Sequence, residues 1–153
     1  MPNAVLDAAI LVSAFLAPQG LSAELLRHAQ EGAFAVFLSE AILAQAQRVL
    51  LEEDHIRRRY RYPNERVVQF MDGLRVFAHL VTPDPNVVGV SRDPNDDVVL
   101  ATAYQAGVPY LVTRDDDLLS LGIYEGITII IPETFMALVR EARRRSDEEE
   151  TTP

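Results

Sequence analysis

The chain has 153 residues, of which 48% are hydrophobic, 24% charged and 7% aromatic, the size and mix of one globular domain with enough apolar surface to offset chain entropy. It contains no cysteine, which removes disulfides, thiolate metal sites and thiol nucleophiles and fits a reducing cytoplasm. All fourteen cationic residues are arginine, so Schiff-base and phosphate-loop lysines are absent as well, and the net charge of −9 argues against broad charge-driven association with nucleic acid while leaving room for a local basic groove.

In chain order, residues 3–6 and 33–38 are short apolar runs that predict buried strands. Between them, residues 20–32 place Leu21, Leu25, Leu26 and Ala29 at helical spacing, with Ser22 as a candidate N-cap and Gly32 at the far end. The apolar stretch 8–17 is broken by Ser13 and ends at Pro18, too short for a membrane span. Ser39 caps a predicted helix through Leu50 or Leu51, with an apolar stripe of Ile42, Leu43, Ala46, Val49 and Leu50. After the charged stretch 52–62, Asn64 opens a second helix to about Phe77, with Val67, Phe70, Met71, Leu74 and Val76 inward. Residues 79–82 form a third strand, and 83–94 a proline-containing loop of a length that is often functional. A helix then starts at Asn95 or Asp96 and stops at Gly107, followed by a fourth strand at 110–112, a helical turn at 115–121 and a fifth strand at 127–131. Pro132 opens the last helix, to about Arg145. The expected organisation is therefore a single domain, 1–145, with a disordered acidic tail, 146–153. The stretch 141–153 holds three Arg and five acids, so the acidity belongs mostly to the domain itself.

Strands alternating with helices through short connections predict a three-layer α/β/α sandwich with a mostly parallel, five-stranded sheet. In such sheets the ligand crevice lies beyond the carboxyl ends of the strands. Asp7 follows the first strand directly, and Asp115 follows the fourth in the run Val112-Thr113-Arg114-Asp115-Asp116-Asp117. Asp97 lies in the first turn of the helix that feeds that strand, where the helix dipole favours an anion. Carboxylates about 4 to 6 Å apart repel by roughly 3 to 4 kcal/mol per pair at an effective dielectric near 20, so a cluster of them calls for a cation or a proton. With no Cys and three scattered His, a hard ion, Mg²⁺ or Mn²⁺, suits the oxygen ligands. The same spacing also describes helix-start acids and a solvated turn.

The sequence resembles the PIN-domain family, and within it the VapC-like toxins of type II toxin-antitoxin systems. The resemblance rests on Val5-Leu6-Asp7 followed by Ile10-Leu11-Val12-Ser13-Ala14, on Ser39-Glu40-Ala41-Ile42-Leu43 running into Arg48-Val49-Leu50, on Arg92-Asp93-Pro94-Asn95-Asp96-Asp97 with Leu100-Ala101, and on Tyr110 to Leu119. It implies Mg²⁺- or Mn²⁺-dependent hydrolysis of single-stranded RNA, a homodimer and a small antitoxin partner, while the absence of cysteine and of a recognisable targeting or spanning segment leads to the expectation of a cytoplasmic location without a membrane. It also implies that Asp7, Asp97 and Asp115 are the catalytic, metal-holding acids, with Asp117 as an accessory ligand. The family glutamate on the helix after the second strand falls on Gln45, and the Thr-Asn after the first aspartate is here Ala8-Ala9. Gln45 retains a carbonyl oxygen without charge and Ala9 retains no polar group, so Gln45 and Ser13 are expected only as weak or supporting contacts. These departures open an alternative: a catalytically degenerate PIN domain serving as an antitoxin- or RNA-binding module.

Residues 55–62 interleave Arg57, Arg58, Arg59 and Arg61 with Tyr60 and Tyr62, a composition suited to phosphate contacts and base stacking and equally to a solvated helical tip. Arg114, beside Asp115, is either a phosphate contact or a neutraliser of the acids. His28, His55 and His79 show no ligand spacing.

Overall fold

The computed structural model describes residues 1–151, Thr151 by its backbone alone. Its elements are β1 (Ala4–Leu6), α1 (Ala8–Leu16), α2 (Leu21–Gln30), β2 (Val36–Leu38), α3 (Glu40–Glu52), α4 (Asp54–Tyr60), α5 (Asn64–Phe77), β3 (His79–Leu80), α6 (Pro94–Ala106), β4 (Tyr110–Val112), α7 (Asp116–Leu119), β5 (Ile123–Tyr124), β6 (Ile127–Ile130) and α8 (Pro132–Thr151). The strands form one sheet in the order β3-β2-β1-β4-β6-β5, and every pairing is parallel except β5 with β6. Helices complete the expected three-layer α/β/α sandwich. The sheet has six strands rather than five: β5, a two-residue edge strand, carries too short an apolar run to be seen in the sequence.

The central strands are buried along their lengths because their sequences, Ala4-Val5-Leu6 and Tyr110-Leu111-Val112, are almost wholly apolar, as sheets covered on both faces require. Helix α1 occupies a stretch that shows no clear helical stripe. Five of its nine residues are buried, spread from Ala8 to Ala14, so the helix is hydrophobic on several sides and has little amphipathic signal. Asp7 starts it by accepting the Ala8 N–H. Ser39 caps α3 through the Ile42 N–H, as expected, and Asp93 caps α6, which opens on Pro94 and closes at Gly107 in the left-handed conformation (φ 67°). Val76, expected inward, is 86% exposed at the end of α5.

Helix α8 runs to Thr151, where disorder is expected from Ser146. Its distal turns are polar, and they are laced by i,i+3 and i,i+4 pairs: Arg144 with Glu141 and Glu148, and Arg145 with Glu141. Such pairs support helix where no apolar face does. Residues 152 and 153 of the expected tail lie outside the described residues. The proximal part of α8 is anchored by Phe135, whose ring meets Phe34 edge-on at 5.0 Å, an arrangement worth about 0.5–1.5 kcal/mol beyond its buried area. Among the described residues no single helix is long and apolar enough to cross a membrane.

Candidate metal centre

The sheet register sets the site. Leu6 and Val112 are paired neighbours on β1 and β4, so the residues after them, Asp7 and Thr113, leave the carboxyl edge side by side. The Asp7 carboxylate is held at both oxygens: Oδ1 accepts the Ala8 N–H at 2.6 Å, and Oδ2 accepts the Thr113 hydroxyl at 2.7 Å. Thr113 Oγ1 in turn accepts the Asp115 N–H at 3.0 Å. One buried hydroxyl thus ties the acids of two strands together. Asp115 caps α7 through the Leu118 N–H, which leaves its second oxygen free of that bond.

Asp7 and Asp115 line a cavity of about 540 Å³, bounded on one side by the start of α6 with Asp93, Asn95 and Asp96 and on the other by Gln45, Arg48 and Glu53. Ala9 and Ser13 line it from α1. Carboxylate oxygens of Asp96, Asp115 and Asp117 all lie within 4.8 Å of one another. Burial pushes Asp96 from the ordinary value of 3.8 up to about 6, with the charges of Asp115, Asp7 and Asp93 adding to the rise and the Ser91 hydroxyl opposing it. Burial also raises Asp7, against the hydrogen bonds from Thr113 and Ala8, and Asp115 adds to that rise. The donor set is all oxygen, dense in negative charge and without thiol or imidazole, which fits a hard divalent cation.

Asp97 is not in the cluster. Its Oδ2 accepts the Gly89 N–H at 2.9 Å, and its Oδ1 accepts those of Val90 at 3.1 Å and Ser91 at 2.7 Å. Successive helical residues point about 100° apart, so of the adjacent pair Asp96 and Asp97 only Asp96 faces the cavity. The sequence puts Asp97 among the metal-holding acids; in the structure it is Asp96 that stands with Asp115 and Asp117. Asp115 and Asp117 lie in the cluster with Asp96, Asp7 is linked to Asp115 through Thr113, and Gln45 lies in the wall, its amide donating weakly to the Asn95 carbonyl at 3.4 Å. Glu40 stays away from the site, bound to Arg75 at 3.0 and 3.1 Å.

The arginines divide. Arg57 donates to the carbonyls of Leu50 and Tyr62 and lies over the Tyr62 ring, fastening α4 to its neighbours. Arg114 is gripped by both oxygens of Glu133 on α8, at 3.0 and 2.6 Å. Neither is available in this conformation as the phosphate contact the sequence suggests. Arg58 bonds the Asp54 carbonyl, Arg59 sits over Tyr60, and Arg61 ends α4 at φ 44°. His28 sits between Glu24 and Arg143, His55 near Glu53, and His79 on the Phe37 ring.

A family model described as a PIN domain matches residues 3–117, a span that includes Asp7, Asp96, Asp115 and Asp117. The chain belongs to the PIN-domain family. Among solved structures, this PIN domain is similar to PAE2754 from Pyrobaculum aerophilum, at 18% identity over 91% of this chain and 90% of that one, with a TM-score of 0.63. It is also similar to VapBC2 from Rickettsia felis, a structure bound to a DNA fragment from its promoter, at 13% identity over 83% and 96% of the two chains, with a TM-score of 0.58. At such identities the likeness concerns the fold. No curated protein matches the sequence.

Proposed function

We propose that this PIN domain is a divalent-cation-dependent endoribonuclease acting on single-stranded RNA, with Asp7, Asp96, Asp115 and Asp117 as the residues that hold Mg²⁺ or Mn²⁺. The observation that carries the reading is the convergence of the Asp96, Asp115 and Asp117 oxygens within 4.8 Å at the strand ends, where Asp96 is raised to about 6 by burial and by its unneutralised neighbours. The cation, when bound, supplies Lewis-acid activation of water and neutralises charge that develops on phosphoryl oxygens. Asp7 contributes a carboxylate whose orientation Thr113 and Ala8 fix. Asp115 is positioned by the turn into α7. Arg58, Arg59 and Arg61, on the helix beyond the cavity, offer a basic approach for the strand.

Membership of the family and the VapBC2 likeness support a toxin role, with a small antitoxin as partner, a homodimer as the working form and the cytoplasm as the location. A second reading is favoured by one observation, the neutral wall: Gln45 and Ala9 stand where an acid and an amide would support the cation, as in a PIN domain kept for binding alone.

Calorimetric titration with Mn²⁺ separates the two, using Asp96→Asn as the control. Saturable binding that the substitution abolishes, together with Mn²⁺-dependent cleavage of unstructured RNA, is the expected result. No binding up to millimolar Mn²⁺ supports the binding module and removes the nuclease.

A further inference from the structure

The charges of the molecule are unevenly matched. Of the fourteen arginines, Arg75, Arg114, Arg140, Arg143, Arg144 and Arg145 each form an ion pair with a carboxylate. Among the described residues, none of the six between residues 48 and 66 does, although that segment also holds Glu52, Glu53, Asp54 and Glu65. Five of the six have some other occupation or stand away from the cavity. Arg57 and Arg58 bond carbonyls, Arg59 and Arg66 lie over the rings of Tyr60 and Phe15, and Arg61 ends α4.

Arg48 is different. It lines the acidic cavity, is exposed, and has no hydrogen bond, ion pair or ring contact among the described residues. It stands one turn of α3 beyond Gln45, hence on the same face of the helix. Nor does it pair with the acids: among the described residues Arg48 forms no ion pair with Asp7, Asp93, Asp96 or Asp115, which line the same cavity. An unpaired guanidinium and a set of carboxylates therefore line one cavity with no ion pair between them. The ligand that satisfies both halves is a phosphodiester, which reaches the acids through the cation and presents its non-bridging oxygens to the arginine in a bidentate fork.

Resting on the nuclease reading above, we propose that Arg48 is a substrate-binding residue that holds a backbone phosphate of the RNA strand at the mouth of the acidic cavity. Because the side chain is exposed and off the metal cluster, the variants should fold and bind Mn²⁺ as the wild type does.

The test measures fluorescence anisotropy of a labelled, unstructured 20-nucleotide RNA in Mn²⁺ across a salt series, for wild type, Arg48→Ala and Arg48→Lys, with Mn²⁺ calorimetry on each. The expected result is RNA affinity lower by about tenfold in Arg48→Ala and by less in Arg48→Lys, which keeps charge without the fork. Loss of one phosphate contact should also reduce the slope of log K against log salt by about 0.7. In cleavage, the loss should fall on KM more than on kcat. Wild-type binding that Arg48→Ala reproduces within twofold, with the same salt slope, overturns the assignment and leaves the nuclease reading standing. Wild-type protein that binds Mn²⁺ but no RNA overturns both.

Discussion

Asp96 and Asp97 are adjacent acids with opposite duties, and their substitution should move stability in opposite directions. Asp96→Asn removes a buried charge that its neighbours disfavour and keeps an oxygen to accept from Ser91, so the cation-free protein should gain stability while Mn²⁺ binding is lost. Chemical denaturation and calorimetry on the same preparation check this; a destabilised Asp96→Asn protein that retains binding would return the ligand role to Asp97. The sequence showed that acids gather at the ends of β1 and β4, because strand ends in a parallel sheet converge. It did not show which of two consecutive helical acids turns inward, since the ambiguity is a rotation of about 100° that depends on where α6 begins. The same limit hid Thr113, visible in the sequence only as the residue two before Asp115. At Gln45 the expectation is simpler: Gln45→Glu adds a carboxylate to the cavity wall, and Mn²⁺ affinity should rise about 10-fold, with RNA cleavage rising in parallel. Equal or lower cleavage would show that the wall is not part of the centre.

The loop before α6 is held by its own helix, since Asp97 gathers three consecutive amides from Gly89, Val90 and Ser91. Hydrogen bonds to a charged acceptor contribute about 1.5–3 kcal/mol each and are not additive, so Asp97→Ala should cost about 2–3 kcal/mol and loosen residues 83–93. Hydrogen exchange should then accelerate at residues 89–91 while β1 and β4 stay protected; unchanged exchange there would mean that the loop is held by other contacts. Elements with a clear stripe and a cap, such as α3 behind Ser39, were legible in the sequence, because the period and the cap are local. Helix α1 was not, because burial on several sides erases the period. The distal turns of α8 were not, because a polar helix sustained by Arg–Glu pairs has the composition of a disordered tail.

Across the whole molecule, the acidic cavity should govern how stability depends on pH. Asp96 and Asp7 both titrate above their ordinary range in the fold, so the native state binds their protons more tightly than the unfolded chain does. Their contribution to stability is therefore complete below about pH 4 and is lost as pH rises through about 6. Glu24, Glu40 and Glu133 act the other way, being held below the usual range mainly by hydrogen bonds from Arg140, Arg75 and Arg114 respectively. Their stabilisation is lost only as pH falls below the ordinary carboxylate range, and solvent screens it because the pairs are partly exposed. Between pH 5 and 7.5 the cavity acids therefore dominate, and the melting temperature of the cation-free protein should fall by about 2–5 °C across that window. Mn²⁺ replaces the lost protons: at 100 times its Kd it adds about 2.7 kcal/mol, which should largely restore the melting temperature at pH 7.5 and do little at pH 5, where protons compete for the same oxygens. Asp96→Asn should flatten the pH profile and abolish the Mn²⁺ effect together. A profile that stays steep in that variant would place the titrating charge outside the cavity, and with it the case for a cation there.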